Sequence, residues 1–114
     1  MKFNFDFIIG NQPGSGNELG FRAISAIVNK SNPAVTFVIE LKPGADSVIA
    51  MNALHEAKPD GYTLLIGNVG TLSINPSLYK KMPYDSEKAF APISMIAELP
   101  YVLLVTPAFP ATST

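Results

Sequence analysis

The chain of 114 residues contains no cysteine and no tryptophan, and only one histidine and one arginine. Without cysteine there is no disulfide framework and no thiolate metal site, but compartment stays open, because many exported proteins also lack it. Charge is scarce too, at 15% of residues with a formal net charge of −1. A nucleic-acid binder needs clustered Lys and Arg and a basic balance. Here the only adjacent cations are Lys80 and Lys81, which read as a solvated face after a loop. Long apolar runs are missing near the N-terminus, where Phe7-Ile8-Ile9 is too short for a signal-peptide core or a membrane span and reads as strand. If the protein is exported, its signal lies outside this sequence. No low-complexity tract or internal repeat is evident.

The same scarcity argues against catalysis. His55 sits on a predicted helix beside Glu56, with no partners at metal-ligand spacing, and reads as a surface or helix-flank residue. Ser15, Thr71 and Ser73 have no His or Lys base near them in sequence, so they read as hydrogen-bond donors rather than nucleophiles. The expectation is a non-enzyme with no catalytic residues, no metal and no cofactor. Arg22 could clamp a carboxylate, but it lies four residues after Glu18, the spacing of an intrahelical ion pair, and that pairing is favoured.

What the chain does have is periodic apolar sequence cut by turn residues. Hydrophobic residues make up 47%, and 10 prolines and 8 glycines punctuate them. Phe5 to Gly10 reads as a first strand. Asn17 is the expected N-cap of a helix to about Lys30, with Glu18 in its first turn and Phe21, Ile24 and Val28 on one face with Ile27 alongside. Ser31-Asn32-Pro33 stops it. Thr36 to Leu41 is a second strand, Lys42-Pro43-Gly44 a turn, and Asp46 or Ser47 the expected cap of a second helix to about Ala57, with Ala50, Leu54 and Ala57 facing inward. Pro59-Asp60-Gly61 turns into a third strand, Tyr62 to Gly67. Two further strands are expected at Ile93 to Ala97 and Tyr101 to Val105, with Pro92, Pro100 and Pro107 as punctuation. Tyr79 and Tyr84 are expected to pack on the domain.

Strand, helix, strand, helix, strand with short connections predicts an α/β fold, a mainly parallel sheet flanked by helices. Ligands of such sheets bind beyond the carboxyl ends of the strands, near a switch in strand order. Two loops leave those ends with suitable chemistry, Gln12 to Asn17 and Asn68 to Asn75. They are expected to form two jaws of one cleft. The first also presents a helix N-terminus, which favours a carboxylate or phosphate. Gly14-Ser15-Gly16 resembles part of a nucleotide loop, but no Gly-Lys-Ser/Thr follows and the next glycine, Gly20, falls one place late for a dinucleotide fingerprint. A glycine-rich turn serving only the strand-to-helix passage is the bland alternative.

From Lys58 onward the wording becomes specific. Pro59-Asp60-Gly61-Tyr62-Thr63-Leu64-Leu65 is followed in order by Gly70-Thr71, Asn75-Pro76, Leu78-Tyr79-Lys80-Lys81, Pro83-Tyr84-Asp85 and Phe90-Ala91-Pro92. This succession resembles the substrate-binding receptors of tripartite tricarboxylate transporters, often called Bug receptors. The resemblance continues more loosely upstream. A Pro/Gly-rich loop with an acid and an Arg falls on Gln12 to Glu18 and Arg22, and a pattern "NRPGAGG" falls on Leu41-Lys42-Pro43-Gly44-Ala45-Asp46-Ser47. The letters differ in both loops.

The resemblance implies a lobe of the periplasmic-binding-protein type (type II) and a receptor more than twice this length. On that basis residues 1–107 are expected to be the first part of an N-terminal lobe and residues 108–114 the start of a crossover to a remainder. It also implies an exported, periplasmic receptor whose two lobes close on a small carboxylate such as a di- or tricarboxylate and present it to membrane permease subunits. The grip would come largely from backbone N–H groups and ordered waters. The candidate contacts are Gly14, Ser15, Gly16 and Asn17 from the first loop and Asn68, Gly70, Thr71 and Asn75 from the second, with Asn75-Pro76 equally readable as a helix-entry turn. The other classes left open are a ligand-sensing α/β domain of a regulator and a fragment of an α/β enzyme.

Overall fold

A computed structural model describes residues 1–110. Three strands, β1 (Phe3–Ile9), β2 (Val35–Leu41) and β3 (Thr63–Ile66), form one parallel sheet in the order β2-β1-β3. The helix α1 (Gly16–Ser31) links β1 to β2, and α2 (Val48–Glu56) links β2 to β3. A short α3 (Asn75–Leu78) follows a single π-helical turn, Gly70–Ile74, and Asn75-Pro76 is indeed the entry to that helix.

β1 is central, and its last three residues, Phe7, Ile8 and Ile9, are buried on both faces of the sheet. Its full length pairs with β2, Phe3 opposite Val35 through Ile9 opposite Leu41, and its second half pairs with β3, Asp6 opposite Thr63 through Ile9 opposite Ile66. Alternation along the strand sends Phe7 and Ile9 to one face, where they pack with Phe21 of α1 and with Phe37, Ile39, Leu41, Leu64 and Ile66. Phe7 stacks on Phe21, and Phe37 meets Phe21 edge-on at 5.3 Å between centroids. Burying each such side chain contributes about 2 kcal/mol. Ile8 points to the opposite face and is also buried, as are Ala50 and Met51 of α2, the helix that lies against β1 and β3. Of the inward-facing residues expected on α2, Ala50 is buried while Leu54 and Ala57 are half-buried; Met51 takes the second core position. On α1, Phe21 is buried but Ile24 and Ile27 face solvent, because the strip covering a three-stranded sheet is narrow.

The expected strands at Ile93 to Ala97 and Tyr101 to Val105 do not form. Residues 91–105 are irregular and exposed, reaching 92% exposure at Tyr101. Strand propensity is realised only against a neighbour, and neither edge of the sheet pairs with these runs. The radius of gyration, 17.2 Å, exceeds the roughly 13 Å of a compact chain this long. Residues 108–110 of the expected crossover are likewise exposed, and 111–114 lie outside the described residues. Tyr84 packs as expected, buried with its ring edge-on to Phe90, whereas Tyr79 is exposed. The Tyr84 hydroxyl is buried without a hydrogen-bond partner among the described residues. His55 is exposed and touches Phe90 edge-on.

Candidate functional site

Strand order reverses direction between β1 and β3, so the carboxyl ends of these strands flank the crevice of a doubly wound sheet. The first loop leaves β1 there. Its helix is capped by Ser15 rather than Asn17. Ser15 is extended (φ −66°, ψ 154°), and its Oγ accepts from the Glu18 N–H at 3.4 Å. Ser15 and Glu18 thus have the S-x-x-E spacing of a capping box, a signal present in the sequence. Capping by Asn17 would have left Glu18 at the first helical position, unable to reach back. Asn17 instead lies inside the helix and donates from Nδ2 to Asn11 Oδ1 at 2.6 Å.

The Glu18 carboxylate is the loop's own anion. Its Oε2 accepts from the Gly14 N–H at 2.7 Å, and its Oε1 accepts from Arg22 Nε at 2.8 Å and lies 2.7 Å from Nη2. Gly14 can offer that N–H because its φ of +80° is open to glycine at no cost. The Gly14 hydrogen bond first, and Arg22 second, hold the Glu18 carboxyl below the usual carboxylate range. Three of the four candidate residues are therefore engaged internally: Gly14 with Glu18, Ser15 through both its cap and its N–H, which donates to the Gln12 carbonyl, and Asn17 through its side chain on Asn11. The N–H groups of Gly16 and Asn17 have no acceptor among the described contacts.

The second loop closes on itself in a similar way. Asn68 and Thr71 exchange hydrogen bonds: the Asn68 N–H donates to Thr71 Oγ1, the Thr71 N–H to Asn68 Oδ1, and the Thr71 hydroxyl to the Asn68 carbonyl, all between 2.9 and 3.1 Å. Thr71 is buried, and Asn75, also buried, donates from Nδ2 to the Asp46 carbonyl at 3.2 Å. The side chains of Asn68, Thr71 and Asn75 thus build the loop, while the N–H groups of Val69 and Gly70 are without acceptors among the described contacts. Val69 was not singled out by sequence.

A third segment joins these two. After β2, Ala45, Asp46 and Ser47 adopt left-handed backbone in succession, with φ of 45°, 51° and 66°. Neither Asp46 nor Ser47 makes a side-chain cap to α2, contrary to expectation. A left-handed residue cannot hold the extended geometry that an N-cap needs. Ser47 Oγ instead donates to the Gly10 carbonyl at 3.0 Å, linking the turn to the end of β1 while Asn75 links it to the second loop. The signal was legible, because Asp46 and Ser47 fall on the two final glycines of the "NRPGAGG" pattern, the residue type that left-handed backbone favours. A separate shallow groove between Ser73, Ser77 and the acids Asp85 and Glu87 includes none of the eight candidate residues.

The sequence model of the TctC family, described as "Tripartite tricarboxylate transporter family receptor", matches residues 20–114. The chain belongs to this family. Among Bordetella pertussis proteins, one of the UPF0065 proteins is 40% identical over 76 residues, 67% of this chain and 23% of that protein, and BugT is 29% identical over 101 residues, 88% and 31%. The solved periplasmic binding protein BugD superposes with a TM-score of 0.72 at 28% identity, covering 82% of this chain and 30% of BugD. The structure described as R. palustris Rpa4515 with adipate superposes with a TM-score of 0.67 at 26% identity, covering 74% and 28%. The fold is accordingly that of a type II periplasmic-binding-protein lobe, a parallel sheet flanked by helices. The chain spans less than a third of the length of these relatives.

Proposed function

We propose that this chain is the first part of the N-terminal lobe of a two-lobed periplasmic solute receptor, which captures a small carboxylated metabolite and presents it to the permease subunits of a tripartite tricarboxylate transporter. The observation that carries this reading is the set of four backbone N–H groups, of Gly16, Asn17, Val69 and Gly70, without acceptors among the described residues, on the two loops beside the β1/β3 switch point. Such donors suit a carboxylate in a site with few cations. Gly14, Ser15, Asn68, Thr71 and Asn75 hold those donors in place. Membership of the receptor family supports the transport role, and the neighbour solved with adipate supports a carboxylate as the ligand class.

Residues 1–107 are the first part of the lobe in this reading, and 108–114 begin the crossover. The exposed apolar run at residues 93–105 is a surface of the kind that further chain covers. Half a cleft leaves one face of a ligand in water, so the chain alone binds weakly and the full-length receptor tightly. Thermal-shift screening of both against mono-, di- and tricarboxylates and amino acids, followed by calorimetry, tests this. Stabilisation of the longer protein by a carboxylate is expected. Stabilisation only by a nucleotide, a sugar or a metal ion overturns it.

A further inference from the structure

We propose that Asp46 makes this site select carboxylates that also carry a cationic amine, in preference to dicarboxylates of the same length, an inference that rests on the receptor reading above. Three segments cross from a strand end to a helix at this end of the sheet, at residues 10–15, 42–47 and 67–75. They contain two charged side chains, Lys42 and Asp46. Lys42 Nζ lies 2.7 Å from Glu40 Oε1, and the charges of Glu18 and Arg22 neutralise each other at the start of α1. Asp46 has no ion pair and no side-chain hydrogen bond among the described residues, and its side chain is open to solvent.

Its place is set from both sides. Ser47 Oγ on the Gly10 carbonyl ties the turn to the first loop, and Asn75 Nδ2 on the Asp46 carbonyl ties it to the second. Asp46 is therefore a lone negative charge anchored between the two loops that carry the free N–H groups. The N–H groups attract one carboxylate, whereas the Asp46 carboxylate repels a second and attracts an ammonium. Closure of a cleft over the pair excludes water and strengthens both effects. The ligand class is then an amino carboxylate whose amine is protonated, such as an α- or ω-amino acid.

The test compares matched ligands on the full-length receptor by calorimetry: succinate with β-alanine, and glutarate with γ-aminobutyrate and with glutamate. The native protein is expected to bind an amino acid more tightly than its matched diacid. In Asp46→Asn, which removes the charge but retains a side chain tolerant of left-handed backbone, that preference is expected to shrink by about tenfold, while Asp46→Glu retains part of it. A native preference for the diacids, or an unchanged preference in Asp46→Asn, overturns the inference and leaves the receptor reading standing. Binding of none of these five ligands overturns the inference, and the wider carboxylate screen above then decides the receptor reading.

Discussion

Of the three passages from strand to helix at this end of the sheet, the first two differ in kind. After β1 the left-handed position is given to Gly14, and the helix start is closed by Ser15 and Glu18, so the backbone sits in allowed regions and the buried carboxylate finds donors. After β2 the left-handed residues are Ala45, Asp46 and Ser47, none of them glycine, and the helix that follows has no side-chain cap. Left-handed backbone costs a residue with a Cβ roughly 1–2 kcal/mol, less for Asp, whose side chain tolerates the region. The first crossing is locally self-consistent; the second is held in place by its contacts with Gly10 and Asn75. A strained turn maintained by its neighbours is characteristic of a place where geometry is kept for binding.

The contact between the crossings is where the comparison breaks most readily. A Cβ built on Gly10 would sit 2.4 Å from the Ser47 Cβ and 3.1 Å from that of Ala50, so Gly10→Ala forces the turn and α2 away from β1. Destabilisation of about 3 kcal/mol is expected, in the upper part of the overpacking range, read as a lower denaturant midpoint. If the midpoint is unchanged, the Ser47 anchor is not holding the turn.

A reciprocal pair of substitutions sharpens the contrast. Gly14→Ala places a Cβ at φ +80° in open space, so strain alone acts, and a loss of about 1 kcal/mol is expected. Asp46→Gly relieves the same kind of strain in the second crossing and is expected to gain up to about 1 kcal/mol, net of the extra freedom of glycine in the unfolded chain. Ser47→Gly is the less clean probe, since it also removes the bond to the Gly10 carbonyl. Equal and same-signed shifts for Gly14→Ala and Asp46→Gly would remove the distinction between the crossings. Away from both, the partnerless Tyr84 hydroxyl makes Tyr84→Phe neutral or slightly stabilising, by less than about 1 kcal/mol, in the same denaturation assay.

How far sequence could be trusted follows the same division. Element type was legible wherever apolar period and turn chemistry agreed, so three strands and two helices stand where Phe7, Phe37, Leu64 and Phe21 place them, with limits shifted by one or two residues. Asn17 misled because Asn is a good cap in isolation, whereas Ser15 has Glu18 three residues on to complete the pair. The two late strands misled because β-branched and aromatic composition states a preference and does not supply a neighbour. At the candidate site the loops were legible from their glycines and asparagines, but the division of labour within them was not. Which N–H is free depends on which ones the side chains of Ser15, Glu18, Asn68 and Thr71 accept from, and the loop's position depends on Asn75, whose acceptor, the Asp46 carbonyl, is 29 residues away.

A pH-dependent effect isolates the carboxylate that completes the first crossing. Because Gly14 and Arg22 lower the Glu18 pKa in the folded chain from 4.5, the folded state binds that proton less readily than the unfolded state does. Its contribution to stability is therefore fully present above the unfolded pKa and is lost as pH falls through the lower folded value. In Glu18→Gln the amide oxygen can still accept one N–H bond, but no charge titrates, so the variant is less stable than the native chain at neutral pH and the gap narrows under acid. Denaturant midpoints measured from neutral pH down through the carboxylate range give the answer. A gap that stays constant with pH would mean that Glu18 acts by shape alone, and the first crossing would then be closed by the Ser15 cap and the freedom of Gly14, without help from charge.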